Sequence, residues 1–145
     1  MINFDNALGQ RTLQRIKSEQ VVWLTTVSPS GFPQPRPVWF VWDDQGFVIY
    51  STPKAKKLAH IASNPKVALH FNINSGGEDV QVILGNAFID QDAPLSKSNT
   101  ANSEKYHSEI LALGLDKEKY SATFSVALRI VPTRLRGLEP IPETQ

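Results

Sequence analysis

The sequence predicts a mainly β chain with helical decoration, an α+β fold built around a small six-stranded antiparallel barrel, and three observations carry that prediction. Apolar residues sort by period two in the stretches Pro35–Trp42 and Val67–Ile73. The links between successive apolar runs are short and rich in Gly, Pro, Asn and Asp, as hairpins require. Helical periodicity is confined to three places: the start, the stretch after the third strand, and the stretch before the last. With 145 residues the chain has the length of one domain with a real core, so residues 1–145 are read as a single domain with its core over about residues 5–136.

Taken in order, Phe4, Leu8, Thr12, Leu13 and Ile16 recur at helical spacing and predict an amphipathic helix near residues 5–18. Val21 to Ser28 is β-branched and aromatic, Pro29-Ser30-Gly31-Phe32-Pro33 is a turn, and Pro35 to Trp42 follows as a second strand. Asp43-Asp44-Gln45-Gly46 turns the chain into a third strand, Phe47 to Thr52. Lys54 to Asn64 reads as a helix, stopped by Asn64-Pro65. Val67, Leu69, Phe71 and Ile73 then share one strand face, and Asn74-Ser75-Gly76-Gly77 leads into Val80 to Ile89. Residues 90–121 are polar and helix-like, with Tyr106, Ile110, Leu111 and Leu113 as apolar positions and Gly114 as a C-terminal cap. Thr123 to Val131 is the last strand, followed by a Pro-punctuated tail.

The formal net charge of +1 gives no field that would draw the protein to nucleic acid or anionic lipid. No stretch approaches the ~20 apolar residues of a membrane span, and a cytoplasmic location is expected. The absence of cysteine removes disulfides, zinc–thiolate sites and thiol nucleophiles. His60, His70 and His107 are too scattered for a metal site, and none is expected. Gly-x-Ser-x-Gly, Gly-x-Gly-x-x-Gly and Walker-type loops are missing, which leaves hydrolase, dinucleotide-fold and P-loop readings unsupported.

Two local features point to chemistry. From Phe47 to Leu58 a strand runs through Ser51-Thr52-Pro53 into a helix that opens with Lys54, Lys56 and Lys57. A helix N-terminus already carries partial positive charge, so lysines placed there call for an anion, and a phosphate would serve. The other reading is a solvated basic turn whose stems cover apolar surface. Second, the strand Pro35–Trp42 is apolar on both faces: Val38, Phe40 and Trp42 point one way, Pro37, Trp39 and Val41 the other. One face fills a barrel; the other needs a flat ligand, a partner subunit or a helix of the same chain. Together these features suit a phosphorylated planar heteroaromatic, with cations at one end and an apolar slot at the other. Flavin mononucleotide (FMN) and the deazaflavin F420 both meet that description.

The Pro-Ser-Gly-Phe-Pro turn, the run Pro35-Arg36-Pro37-Val38-Trp39-Phe40, Tyr50-Ser51-Thr52, Lys57-Leu58 to Asn64-Pro65-Lys66-Val67, and Gly85-Asn86-Ala87 resemble the FMN-binding split β-barrel proteins. These are the relatives of pyridoxamine 5′-phosphate oxidase, and the likeness is greatest to the F420-dependent flavin/deazaflavin oxidoreductases of the B class. The resemblance implies a homodimer with cofactor sites at the subunit interface. It implies ring contacts from Arg36, Pro37, Val38 and Trp39, phosphate contacts from Tyr50, Ser51, Thr52, Lys54 and Lys57, and a reach from the second subunit near Gln81. Lys57 follows the F420-type spacing and Lys54 the oxidase pattern. The implied activity is hydride transfer between F420 or FMN and a small unsaturated or quinone-like molecule, with no catalytic side chain assigned. Cofactor or haem sequestration without turnover is the alternative. The C-terminal Trp-Arg-Leu-His type segment of the oxidases is missing, which argues against pyridoxamine phosphate as substrate.

Overall fold

The computed structural model describes residues 2–73, 76 and 79–137. Seven strands form one antiparallel sheet: β1 (Val21–Val27), β2 (Pro33–Trp39), β3 (Val41–Asp43), β4 (Gly46–Ser51), β5 (Lys66–His70), β6 (Gln81–Ile89) and β7 (Val126–Gly137). Their spatial order is β2-β1-β5-β6-β7-β4-β3. Helix α1 (Ala7–Ser18) precedes β1, α2 (Lys56–Ser63) links β4 to β5, and a 3₁₀ turn with α3 (Thr100–Lys105), α4 (His107–Ala112) and α5 (Lys117–Thr123) fills the stretch before β7. The Asn74-Ser75-Gly76-Gly77 turn, apart from Gly76, and the tail beyond Gly137 lie outside the described residues.

The sheet order contains the first correction. The segment read as one strand, Pro35–Trp42, is two, because the chain leaves one edge of the sheet at Trp39 and joins the other at Val41. Phe40 alone carries the chain from one edge to the other, across the seam of the curled sheet. Neither Gly nor Pro marks the break. The six expected strands are therefore seven.

At the seam Phe40 has no ladder partner, and a buried backbone pair left unsatisfied would be costly. Tyr106, fully buried, supplies the bonds: the Phe40 N–H donates to its hydroxyl at 2.8 Å, and the hydroxyl lies 2.7 Å from the Gln20 carbonyl that takes its proton. Lys105 Nζ donates to the Phe40 carbonyl at 2.9 Å and sits 3.6 Å above the Phe40 ring. Burial pushes the Tyr106 hydroxyl pKa upward and lowers that of Lys105 to about 8, against the opposing pull of Glu19. The two faces of the expected strand separate as read. Val38 and Phe40 lie in the barrel core with Leu24, Phe47, Ile49, Leu69 and Ile83. Val41, with Trp39 against it, packs outside in a second cluster around Tyr106, Ile110 and Tyr120.

Other departures are local. β5 ends at His70 and leaves Ile73 exposed. Leu111 and Leu113 are more than half exposed, whereas Gly114 caps α4 with φ 78° as expected. Residues 123–125 are not strand: α5 runs to Thr123. β7 continues through Pro132 into the expected tail, because a register shift opposite Leu84/Gly85 places the proline where no ladder N–H is required. Gly85 fits that site closely, since a Cβ there would meet the Val131 carbonyl oxygen at 2.7 Å.

Removing the seam hydroxyl with Tyr106→Phe orphans the Phe40 N–H and is expected to cost about 1–3 kcal/mol of stability. Urea unfolding measures it; an unchanged midpoint would contradict this role.

Candidate functional site

Two adjoining clefts lie over β2, and Pro37 and Lys57 line both. The first, of about 360 Å³, is lined by Leu24 and Thr26 of β1, Gln34, Arg36 and Pro37 of β2, and Ala55, Lys56, Lys57 and His60 at the start of α2. The β1–β2 ladder pairs Leu24 with Arg36 and Thr26 with Gln34, so these are successive rungs on one face. His60 Nδ1 lies 2.9 Å from the Thr26 hydroxyl and fastens α2 over the second rung. Lys57 is held nearer the first, where the Arg36 charge acts on it.

This cleft is basic. Arg36, Lys56 and Lys57 form no ion pair with a carboxylate among the described residues, and α2 has no acidic residue in its first turn and no side-chain N-cap. Burial, and then the neighbouring Arg36, hold the Lys57 pKa below the usual 10.5. The folded chain thus keeps a cation where its own surroundings disfavour one, a condition that a bound anion relieves.

The second cleft, also about 360 Å³, is aromatic: Val21, Pro37, Val38, Trp39, Tyr50, Leu113, Tyr120 and Phe124 surround it, with Lys57 at its junction to the first. Trp39 stacks on Tyr106 at 4.6 Å and on Tyr120 at 5.6 Å, and Tyr120 stacks on Phe124 at 4.5 Å. The chain's own helical segment therefore covers part of the outer face of Trp39. Tyr50 donates to the Pro94 carbonyl at 2.8 Å and accepts from Asn99 at 3.1 Å. The Tyr120 hydroxyl has no hydrogen-bond partner among the described residues, and burial, then Tyr50, push its pKa up to about 12.

Of the residues singled out in the sequence, Arg36, Pro37, Val38, Trp39, Tyr50 and Lys57 come together around the paired clefts. Four do not line them. Lys54 is exposed in the turn before α2, Ser51 is buried and donates to the Thr52 carbonyl at 2.9 Å, and Thr52 is half-buried beside it. Gln81 is buried within its own chain, bonded to Arg15 at 3.1 Å and to Asp79. Sequence reading missed Thr26, Gln34 and His60 as lining residues, along with Tyr120 and Phe124. Lys56 and His60 do share an i, i+4 face of α2, but nothing in the sequence shows which side of that helix meets β1.

Residues 8–138 match the sequence profile of the pyridoxamine 5′-phosphate oxidase family. A pyridoxine/pyridoxamine 5′-phosphate oxidase of Sodalis glossinidius is 33% identical over 69 residues, 47% of this chain and 32% of the relative, so the match spans about a third of that protein's length. Among solved structures, a Listeria innocua protein provisionally assigned as a pyridoxamine 5′-phosphate oxidase is 25% identical with a TM-score of 0.64, covering 88% of this chain and 94% of its own. The haem storage protein HutZ of Vibrio cholerae shares the fold at 16% identity and a TM-score of 0.61, over 90% and 94% of the two chains. An F420 reductase does so at 20% identity and 0.57, over 85% and 94%.

Because the folded state depresses the Lys57 pKa, sulfate binding to the first cleft should take up protons on the alkaline side, below pH 10.5, and affinity should fall as pH rises through that depressed value. Calorimetry in buffers of differing ionisation enthalpy measures the uptake. Lys57→Met should abolish it; identical uptake in that variant would place the titrating group elsewhere.

Proposed function

As the chain belongs to the pyridoxamine 5′-phosphate oxidase family, we propose that it is an oxidoreductase that binds a phosphorylated flavin or deazaflavin, FMN or F420, and passes a hydride to a flat, quinone-like or unsaturated small molecule. The observation that carries this reading is the pairing of an unneutralised basic cleft with an aromatic one across Pro37 and Lys57. The donor set fits the group: Arg36, Lys56 and Lys57 hold the phosphate, and the Pro37–Trp39 stretch supports the ring. Lys57, at the junction, takes the phosphate role in preference to the exposed Lys54.

When bound, the reduced ring supplies the hydride and its two electrons. The chain's part is binding, orientation and water exclusion. Trp39, Tyr120 and Phe124 present flat apolar surface on which a planar acceptor stacks. Tyr120, with its proton retained far above neutral pH, donates a hydrogen bond to the acceptor's carbonyl oxygen, which gains electron density as the hydride arrives. No carboxylate lines either cleft among the described residues, so a cationic substrate finds no partner. A second phosphate finds no free cation in the aromatic cleft once Lys57 is engaged, which disfavours pyridoxamine phosphate.

The protein is further read as a homodimer. The partial cover over Trp39 weakens one reason for that reading, but Phe88 and Val131, on the outer face of β6 and β7, stay about half exposed at 48% and 41%. Light scattering should give twice the chain mass, and Phe88→Asp should shift it toward one; a monomeric wild type would contradict the dimer.

The function is tested by titrating the protein with FMN and with F420, then supplying 1,4-naphthoquinone to the reduced complex. Lys57→Ala is expected to weaken cofactor binding by about 1.5–3 kcal/mol, the worth of a charge-assisted bond. Tyr120→Phe should lower kcat for the quinone with cofactor affinity unchanged. Tight binding without turnover would instead favour storage of the bound group, as in the haem storage relative. Turnover of pyridoxamine phosphate would overturn the substrate assignment.

A further inference from the structure

Lys57 is placed differently from the other lysines of its turn. Lys54 and Lys56 are exposed, whereas Lys57 is half-buried and, with Pro37, lines both the basic and the aromatic cleft. Among the described residues it makes no hydrogen bond or ion pair. The other titratable side chains that line the two clefts are Arg36 of β2, Lys56 and His60 of α2, Tyr50 of β4 and Tyr120 of α5, and none of them is a carboxylate. Burial first, and the Arg36 charge second, favour its neutral amine. Desolvation and a neighbouring cation are the two conditions that turn a lysine amine into a nucleophile toward carbonyl groups.

The two clefts constrain the carbonyl compound that reaches this amine. Arg36 and Lys56 form a cationic end with no described carboxylate to neutralise it, and Trp39, Tyr120 and Phe124 offer a flat apolar end. A cavity of about 150 Å³ takes a benzene ring, and the aromatic cleft offers about 360 Å³. A substituted ring therefore fits. Because Lys57 stands at the junction of the clefts, its amine meets the edge of the ring that faces the basic cleft. The carbonyl must lie on that edge, beside the anionic group and not across the ring from it.

We propose that, in the cofactor-free chain, Lys57 captures an aromatic aldehyde as an imine, with the ring in the aromatic cleft and an anionic group, borne next to the aldehyde, at Arg36 and Lys56. The Nζ lone pair attacks the carbonyl carbon and a C–N bond forms. The carbonyl oxygen leaves as water with the two amine protons, a C=N bond remains, and no electron is gained or lost. Tyr120 lines the same cleft with its proton retained and donates a hydrogen bond to the carbonyl oxygen as negative charge builds on it. The inference shares with the proposed function only the reading of the basic cleft as an anion site. A cofactor phosphate bound there occupies Lys57, so the two chemistries exclude each other.

Sodium cyanoborohydride fixes such an imine, and peptide mapping of the treated chain then locates it. With 2-formylbenzenesulfonate at about pH 8, Lys57 should be modified about tenfold faster, or more, than Lys54 or Lys56. By the same margin it should react faster with this aldehyde than with benzaldehyde, which lacks the anion, or with 4-formylbenzenesulfonate, which carries it across the ring. Lys57→Arg, which keeps the charge, should remove the fast modification and leave that of Lys54 and Lys56 unchanged. Arg36→Gln should reduce the advantage of the neighbouring sulfonate to within about twofold, and the wild-type map carries the test by itself if either variant fails to fold. Even modification of the three lysines, or equal rates at Lys57 with the three aldehydes, overturns the proposal. Prior saturation with FMN or F420 keeps the two readings apart. Fast capture at Lys57 that neither cofactor slows defeats the assignment of Lys57 to the cofactor phosphate alone, and cofactor protection of a Lys57 that shows no preference for the anionic aldehyde defeats this inference alone.

Discussion

The rest of the structure depends on the satisfaction of one residue's backbone, Phe40. The sheet has two edges, β2 and β3, and Phe40 is the single residue that carries the chain from one to the other. Its N–H and carbonyl lie outside both ladders and inside the protein, where unpaired groups are expensive. Tyr106 and Lys105 supply the missing bonds from α3 and its C-terminus. The helical segment is thereby anchored at the seam, its aromatic residues are brought over Trp39, and the aromatic cleft acquires its far wall of Tyr120 and Phe124. The bonds that satisfy the Phe40 backbone also position half of the candidate site.

The other half arises from an unresolved charge. α2 begins without a side-chain cap and with two lysines in its first turn, opposite Arg36. The local choices conflict with helix electrostatics and with Lys57's own solvation. Conflicts of this kind collect at functional sites. Pro37 and Lys57 belong to both clefts, so the basic cleft and the aromatic cleft adjoin.

Much of the fold was legible in the sequence because its signals are short-range. The period-two alternation through Val38, Phe40 and Trp42 gave the correct inner face, and Gly114 gave the end of α4. The break at Phe40 was not legible, since it comes from the chain's passage between the two edges of the sheet rather than from a breaker residue. The course of β7 through Pro132 was hidden for a related reason: a register shift across from Leu84/Gly85 makes the proline tolerable, and that pairing is non-local. For the candidate site, the apolar strand from Pro35 to Trp42 and the run of lysines at the start of α2 were readable from chemistry, whereas Lys57 was singled out by the family resemblance. His60, Thr26 and Gln34 were not readable, because they meet only when α2 docks on β1. Lys54 looked equivalent to Lys57 in sequence, and only the start of α2 at Lys56 separates an exposed lysine from one in the cleft.

The most direct test of the paired-cleft account is an electron-density map of the protein crystallised with FMN or F420. The account predicts phosphorus density within hydrogen-bonding distance of Lys57 Nζ and the Arg36 guanidinium, with the ring plane continuing past Pro37 against Val38 and Trp39. A ring bound elsewhere, or a phosphate held away from Lys57 with the basic cleft filled only by water, would contradict it.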